Sequence, residues 1–419
     1  MERVLLVTIK LESQKDAWHI EDSAAEMEEL SRTTGAGIIE NITCQLKKPT
    51  ANLLIGSGKA EEIAGLCEER DIDTVIFSEG LSGTQQRNLE EIIGRKTIDR
   101  TQLILDIFAR HAKGPEGRMQ VELAQLQYLM PRLIGKGIIL SRLGGGIGTS
   151  GPGEQKLEMD RRRIRKRIDR LNADLKHLGL HRQLLKKQRK ENAVPVTALV
   201  GYTSAGKSTL LNTLTGAEQT VSDSLFTTLD PSSKTFKLPN GEDIILLDTV
   251  GFLHNLPHNL IEAFKATLEE VMEADLLIHV LDVSHRCVYE HAAAVTAVLK
   301  ELKADNKPVI TALNKVDLLD DKMWLSKLTQ DFTNPIAISA KFKINLEELV
   351  KGIQDNFKDR MAEFTVFIPH SKMELLNLIY RNGKVRHIEY LPKGIEAKVT
   401  LPKIAASKLL ANKEITKIY

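Results

Sequence analysis

Val196-Thr197-Ala198-Leu199-Val200-Gly201-Tyr202-Thr203-Ser204-Ala205-Gly206-Lys207-Ser208-Thr209 reads in three parts. An apolar run predicts a buried strand, a loop bounded by two glycines comes next, and the residues after Gly206 open a helix over 208–214. The pattern GxxxxGK[ST] requires that order. Glycines let the backbone curl until its N–H groups face phosphate oxygens, and the helix N-terminus adds its positive dipole end. Lys207 is placed to contact the β- and γ-phosphates, and the Ser208 hydroxyl to ligate Mg²⁺. Gly201 through Thr209 are therefore the phosphate-binding candidates, with Lys207 catalytic.

Four further stretches complete the site, and the first two decide which nucleotide. Ile310-Thr-Ala-Leu-Asn314-Lys315-Val316-Asp317 ends a strand in NKxD. There the Asp317 carboxylate can accept from guanine N1–H and N2–H₂, donors that adenine lacks. Lys315 would lie along the base, and Asn314 would tie the loop to the phosphate loop. Ser339, Ala340 and Lys341 come after another strand and would offer backbone N–H groups to guanine O6. Ile244-Ile-Leu-Leu-Asp248-Thr-Val-Gly251-Phe252 ends a buried strand in DxxG: Asp248 would reach Mg²⁺ through water, and the Gly251 N–H would meet the γ-phosphate. Between it and the phosphate loop lies Leu225-Phe226-Thr227-Thr228-Leu229-Asp230-Pro231, where Thr228, with Thr227 as the alternative, would complete the metal shell. Segments held only by the γ-phosphate and its metal relax on hydrolysis, which makes 225–231 and 248–252 switches. Phe226 joins the nucleotide-contact candidates, and Thr228 and Gly251 the catalytic ones. Many GTPases place Gln after DxxG to orient water; Phe252 cannot do so, which predicts slow intrinsic hydrolysis.

Beyond these motifs, the chain of 419 residues exceeds one core and predicts several domains. We expect an N-terminal α/β subdomain over 1–112, a Gly-rich loop with a basic helical hairpin over 113–192, a Ras-like G domain over 193–360 and a small α/β domain over 361–419. In the first region strand-like runs at 4–8, 36–40 and 73–77 alternate with helical patterns at 24–33, 59–70 and 84–93, predicting a largely parallel sheet. Gly144-Gly145-Gly146-Ile147-Gly148-Thr149-Ser150-Gly151-Pro152-Gly153 cannot hold a regular element. Past that loop, Leu157, Ile164, Ile168, Leu171, Leu175 and Leu178 step by fours and threes, a seam for a packed helix, with Gly179 as a turn into a second arm.

Residues 154–191 hold fourteen Lys/Arg against six Asp/Glu, although the whole chain is only +2. A basic stripe of this density fits a phosphate-backbone partner, with Arg161, Arg162, Arg163, Arg165, Lys166 and Arg167 as RNA-binding candidates; a solvated helix face is the other reading. Cys44, Cys67 and Cys287 have no metal-ligand spacing, the start lacks a signal-peptide pattern, and no apolar run approaches a membrane span. We therefore expect a cytoplasmic monomer with at most peripheral membrane association and no DNA partner. His254, His258, His279, His285 and His291 share no ligand face.

With those motifs in place, the sequence resembles the HflX family of GTPases, in the Obg–HflX group. The resemblance runs over nearly the whole chain, through Gln86-Arg-Asn-Leu-Glu90, Asp99-Arg-Thr-Gln-Leu-Ile-Leu-Asp-Ile-Phe108, Glu116-Gly-Arg-Met-Gln-Val-Glu-Leu-Ala-Gln-Leu126, the 144–154 loop and Asp160-Arg161-Arg162. It continues through 225–231, 248–252, Leu256-Pro257-His258 and 263–268. It implies a GTPase that binds the 50S subunit through 23S rRNA and dissociates stalled or stress-inactivated 70S ribosomes, hydrolysis allowing release. The alternative is a nucleotide-gated assembly or quality-control factor without splitting. ATP-dependent RNA remodelling by the N-terminal domain is a third idea. Its only local hint, Gly56-Ser57-Gly58-Lys59, is no phosphate loop, because Leu53 stands where a glycine is required. Ser204 replaces the family's usual Asn, which argues against potassium-stimulated hydrolysis; Ser150 replaces a frequent Arg.

Overall fold

The computed structural model describes residues 1–12, 18–135, 152–191, 194–217, 225–226, 232–255, 257, 260, 265–319, 321–410 and 416–417. It divides into two compact units.

The first comprises residues 1–179 with 222–230 and 255–266. Its sheet is parallel, in the order β2-β1-β3-β4, from β1 (Arg3–Leu11), β2 (Gly37–Leu46), β3 (Thr74–Phe77) and β4 (Lys96–Asp99). The expected strands are all present. The fourth, β4, has no clear sequence pattern, being only four residues long and flanked by charges. The crossovers are α1 (Ile20–Thr33), α2 (Ser57–Glu69) and α3 (Gly83–Ile93). Gly56-Ser57-Gly58-Lys59 forms the first turn of α2, and Lys59 Nζ pairs with Glu62 at 2.6 Å.

Asp99 ends β4 and organises the two helices after it. Its carboxylate caps α4 (Arg100–His111) by accepting from Gln102 N at 2.9 Å and also accepts from Leu81 N. The Tyr128 hydroxyl, on α5 (Pro115–Leu129), donates to Asp99 Oδ1 at 2.7 Å. Arg132 reaches Asp99 Oδ2 at 3.2 Å and lies 3.4 Å over the Tyr128 ring. This buried clasp fixes the end of α5.

Residues 152–191 form one 40-residue helix, α6. The turn expected at Gly179 is not there. A single glycine costs a helix only about 1 kcal/mol, and the flanking leucines and cations are strong helix formers. The expected seam is real: Ile164, Ile168, Leu175 and Leu178 are half-buried, Leu171 is buried, and Arg162, Arg165, Lys166, Arg170 and Lys176 are exposed. The Gly-rich stretch 144–151 lies outside the described residues.

The second unit comprises residues 180–221, 231–254 and 267–419. Its six-stranded sheet runs β10-β9-β8-β5-β7-β6, from β5 (Val196–Gly201), β6 (Ser232–Lys237), β7 (Asp243–Asp248), β8 (Leu276–Asp282), β9 (Val309–Asn314) and β10 (Pro335–Ala337). All neighbours are parallel except β6 on β7. The helices are α7 (Lys207–Thr215), α8 (Lys265–Glu273), α9 (Val288–Glu301), α10 (Lys322–Asp331) and α11 (Leu346–Phe357). Leu210, Leu211, Leu349 and Ile353 close one face over Leu199, Leu246, Ile278 and Ile310. Central β5 carries the phosphate loop at its C-terminal edge, where doubly wound sheets bind ligands.

From Met361 the chain forms an antiparallel sheet, order β12-β13-β11-β14, from β11 (Met361–Pro369), β12 (Lys384–Leu391), β13 (Gly394–Pro402) and β14 (Thr416–Lys417), with α12 (Glu374–Asn382) and α13 (Lys403–Leu410). Within this unit it meets the turn before β7. Gly241 has φ +90°, a Cβ there would sit 3.0 Å from Gly383 O, and Lys384 Nζ donates to Pro239 O at 3.3 Å. Among the described residues no helix is long and apolar enough to cross a membrane.

Candidate functional site

Four loops meet at the C-terminal ends of β5, β7, β9 and β10. The phosphate loop leaves β5 at Gly201, where a Cβ would lie 2.4 Å from Val280 O, and enters α7 through Gly206 at φ +96°. Both positions exclude side chains: the first by crowding, the second also by its left-handed backbone. Lys207 is buried, and its Nζ donates to Gly201 O at 3.1 Å and Tyr202 O at 2.8 Å. Burial pulls its pKa down to about 8, partly countered by the Asp248 carboxylate. Anionic phosphate against this ammonium would raise its pKa again.

Asp248, fully buried at the end of β7, accepts from the Ser208 hydroxyl at 2.6 Å. Two hard oxygens in contact suit a small divalent cation such as Mg²⁺. Gly251 then passes over the phosphate loop so closely that a Cβ would lie 2.7 Å from Thr203 Cγ2 and 3.2 Å from Lys207 Nζ. The Phe252 ring is buried, and its backbone bridges the loop: its N–H donates to Gly201 O at 3.1 Å and its carbonyl accepts from Thr203 N at 2.9 Å. Ser204 is exposed with φ +57°, and Thr209 is half-buried on the first turn of α7.

The side expected to meet the base is organised by Asn314. Its Nδ2 donates to Ala205 O at 2.8 Å while its Oδ1 accepts from Ala340 N at 2.9 Å, joining three loops through one buried amide. Lys315 adopts φ +66° and pairs with Asp282 at 2.6 Å, which fixes its aliphatic stem. Asp282 is absent from the sequence-based candidates, yet an apolar strand ending in Asp beside the Asn314 strand is a readable signal. Asp317 is exposed on a 3-10 turn and accessible to a ligand. Ser339 N donates to Ile344 O and Ala340 N to Asn314, so of the three expected O6 donors Lys341 N–H is the one without an intramolecular acceptor among the described residues.

Phe226 is among the described residues. It sits in the first unit, buried at φ +58°, with its ring edge-on to Phe108 at 4.6 Å, and neighbouring Leu225 N donates to Thr33 Oγ1 at 3.4 Å. Thr227 and Thr228 lie outside the described residues. Of the RNA candidates, Arg167 forms a two-pronged pair with Glu122 at 2.6 and 2.7 Å, Arg161 is half-buried, and Arg163 lies 3.6 Å from Asp160. Arg162, Arg165 and Lys166 are exposed to solvent. His279 is buried, and burial beside Lys207 lowers its pKa to about 4. Among the described residues there is no group of three or more His, Cys, Asp and Glu side chains that could hold a metal, and the three thiols are free.

Known proteins are similar to this chain over most of its length. A family model described as GTP-binding GTPase N-terminal matches residues 21–109, one described as GTP-binding GTPase middle region matches 111–189, and one described as 50S ribosome-binding GTPase matches 196–315. The GTPase HflX of Caldanaerobacter subterraneus is 47% identical, covering 95% of this chain and 90% of that protein. The GTPase HflX of Lacrimispora saccharolytica is 41% identical, over 98% and 96%, and that of Escherichia coli 38%, over 91% and 88%. Among solved structures, a GDP complex of SsGBP is 25% identical, covering 86% of this chain and 99% of that one, with a TM-score of 0.47. The chain is a GTP-hydrolysing enzyme and belongs to the HflX family of GTPases.

Proposed function

We propose that this GTPase binds the large ribosomal subunit in its GTP form, separates stalled or stress-inactivated 70S ribosomes into subunits, and leaves when GTP is hydrolysed. The observation that carries the reading is the exposed row Arg162, Arg165, Lys166, Arg170 and Lys176 on α6, in a chain that also holds a guanine-nucleotide constellation. Cations along one helix face neutralise phosphates, and a glycine-rich stretch next to them can conform to an RNA surface. The 50S-binding description of the matching family model supports the same partner, with 23S rRNA as the contacted surface. We place the protein in the cytoplasm as a monomer.

In this reading the phosphate loop cradles the phosphates, Lys207 and Gly251 contact the β–γ oxygens, and Asp317 with Lys341 N–H reads guanine. Ser208 with Asp248 through water, and Thr228, would hold Mg²⁺, which when bound neutralises charge developing on the phosphates. The buried Phe252 ring offers water no hydrogen bond, so intrinsic hydrolysis is slow and acceleration comes from the ribosome or from backbone groups. Ser204 in place of Asn makes hydrolysis independent of potassium.

The test is sedimentation of purified 70S ribosomes with the protein and a non-hydrolysable GTP analogue, against GDP. Separation into 50S and 30S, with the protein on 50S only with the analogue, is the expected result. Co-migration without separation would replace splitting by nucleotide-gated binding. No association in either state would rule out the ribosome as partner.

A further inference from the structure

We propose that Tyr202 is a positioning residue for hydrolysis: its hydroxyl fixes the switch backbone after Gly251 at the reacting phosphate. The Phe252 ring is buried and cannot hydrogen-bond, so the part of this segment able to orient water is the backbone of residues 251–254. That backbone is tied to the phosphate loop by three hydrogen bonds among others. Two are main-chain bonds, Phe252 N to Gly201 O and Thr203 N to Phe252 O, which almost any sequence could make. The third depends on one side chain, with His254 N donating to Tyr202 Oη at 2.9 Å.

A hydroxyl on a free side chain would fix nothing, but this one is held. Tyr202 is buried, and its ring stacks face to face on His291, centroids 3.8 Å apart and planes 9° off parallel. His291 is itself buried on the first turn of α9, its N–H donating to Cys287 O, and the His285 ring lies 4.4 Å beyond it. A path of packed rings thus runs from α9 to Tyr202 and ends in one hydrogen bond to the switch. The Tyr202 carbonyl serves separately, accepting from Lys207 Nζ at 2.8 Å. The hydroxyl can therefore be removed while the ring stack and the lysine contact stay. Small displacements of a positioned group lower the rate of a chemical step far more than they weaken ligand binding.

The experiment measures intrinsic GTP hydrolysis by the full chain without ribosomes, in single turnover, together with KM for GTP and the dissociation constant of GDP. Tyr202→Phe is expected to lower the hydrolysis rate about tenfold and leave KM and GDP affinity within about twofold, the size expected for losing one hydrogen bond that matters at the transition state. His291→Ala, which removes the surface the ring stacks on, should lower the rate in the same way, and His291→Phe should restore most of it. The double variant Tyr202→Phe/His291→Ala should be no slower than the slower single one, since both act through the same bond. An unchanged rate in Tyr202→Phe overturns the proposal. So does a matching loss of rate and GDP affinity, which would make Tyr202 a structural part of the phosphate loop.

Discussion

The loops around Asn314 and the Phe108–Phe226 contact are built on opposite principles. Around Asn314, a buried amide and backbones with special conformations (Gly206 at φ +96°, Lys315 at φ +66°) hold three loops together. At Phe108, two apolar rings distant in sequence pack edge to face in the first unit. The first kind of site has local signatures, because only a few residue types tolerate those backbone angles or offer that hydrogen-bond pair. The second kind has none, because a buried phenylalanine is ordinary wherever it occurs. Function that resides in backbone shape is thus readable in short windows, and coupling through side-chain packing is not.

Asp317→Asn puts the largest strain on this contrast. The exposed carboxylate would become an amide that no longer accepts from both guanine donors, so GTP and GDP affinity should fall on the order of 10³-fold. Xanthine nucleotides, which can accept from the new amide, should gain relative to guanine. Competition against a fluorescent GDP analogue reads both, and an unaltered GDP affinity would remove Asp317 from the base site. Next in size is Phe108→Ala, which leaves a cavity beneath Phe226. The first unit should lose about 3–5 kcal/mol in urea titration. Phe226→Ala should lose a similar amount, and the double variant less than the sum by roughly 1 kcal/mol, the coupling of an aromatic pair. Strict additivity would mean the two rings do not support each other.

The same contrast explains how far the sequence can be read. The parallel N-terminal strands, the phosphate loop on β5 and the DxxG and NKxD ends of β7 and β9 all carry local patterns. So does the seam of α6, because Ile164, Ile168, Leu171 and Leu175 keep their spacing whatever they pack on. Its continuity through Gly179 does not, since one glycine reads as a break in sequence but is too small a penalty to end a helix of strong formers. The packing of Phe226 has no such pattern, because its partner Phe108 sits 118 residues away. Arg167 looks like its neighbours in the basic run, and only the fold brings Glu122 against it. The Asp99–Tyr128–Arg132 clasp is equally silent, since its members stand in three different elements.

His279 gives a third, pH-dependent test, again of packing rather than motif. Burial, and secondarily the Lys207 charge, lower its pKa from 6.5 to about 4. The unfolded chain therefore binds more protons than the folded one between those values, and stability falls as pH drops through that window. The contribution lost by pH 4 is about 3 kcal/mol. His279→Gln keeps a neutral side chain, so its stability curve should be flatter than that of the parent from pH 6.5 to 4 and parallel to it above pH 7. Parallel curves throughout would place His279 in a wetter environment than the fold gives it.

The smallest expected effect concerns Ser204, and it separates backbone shape from side-chain chemistry at one position. The left-handed backbone there, φ +57°, suits Asn better than most residues with a Cβ, so the loop itself is compatible with the family's usual Asn. What Ser204 lacks is the amide carbonyl oxygen, a harder and farther-reaching ligand for a monovalent cation than its short hydroxyl. Hydrolysis rates in potassium and sodium chloride at equal ionic strength should therefore agree within about twofold, since a lone hydroxyl adds little to a hydrated cation's own shell. Ser204→Asn restores the oxygen without straining the loop and should raise the potassium rate over the sodium rate while leaving GDP affinity in place. If the parent already responds strongly to potassium, the cation is held by backbone carbonyls of the loop, and its binding belongs with the features that local geometry alone secures.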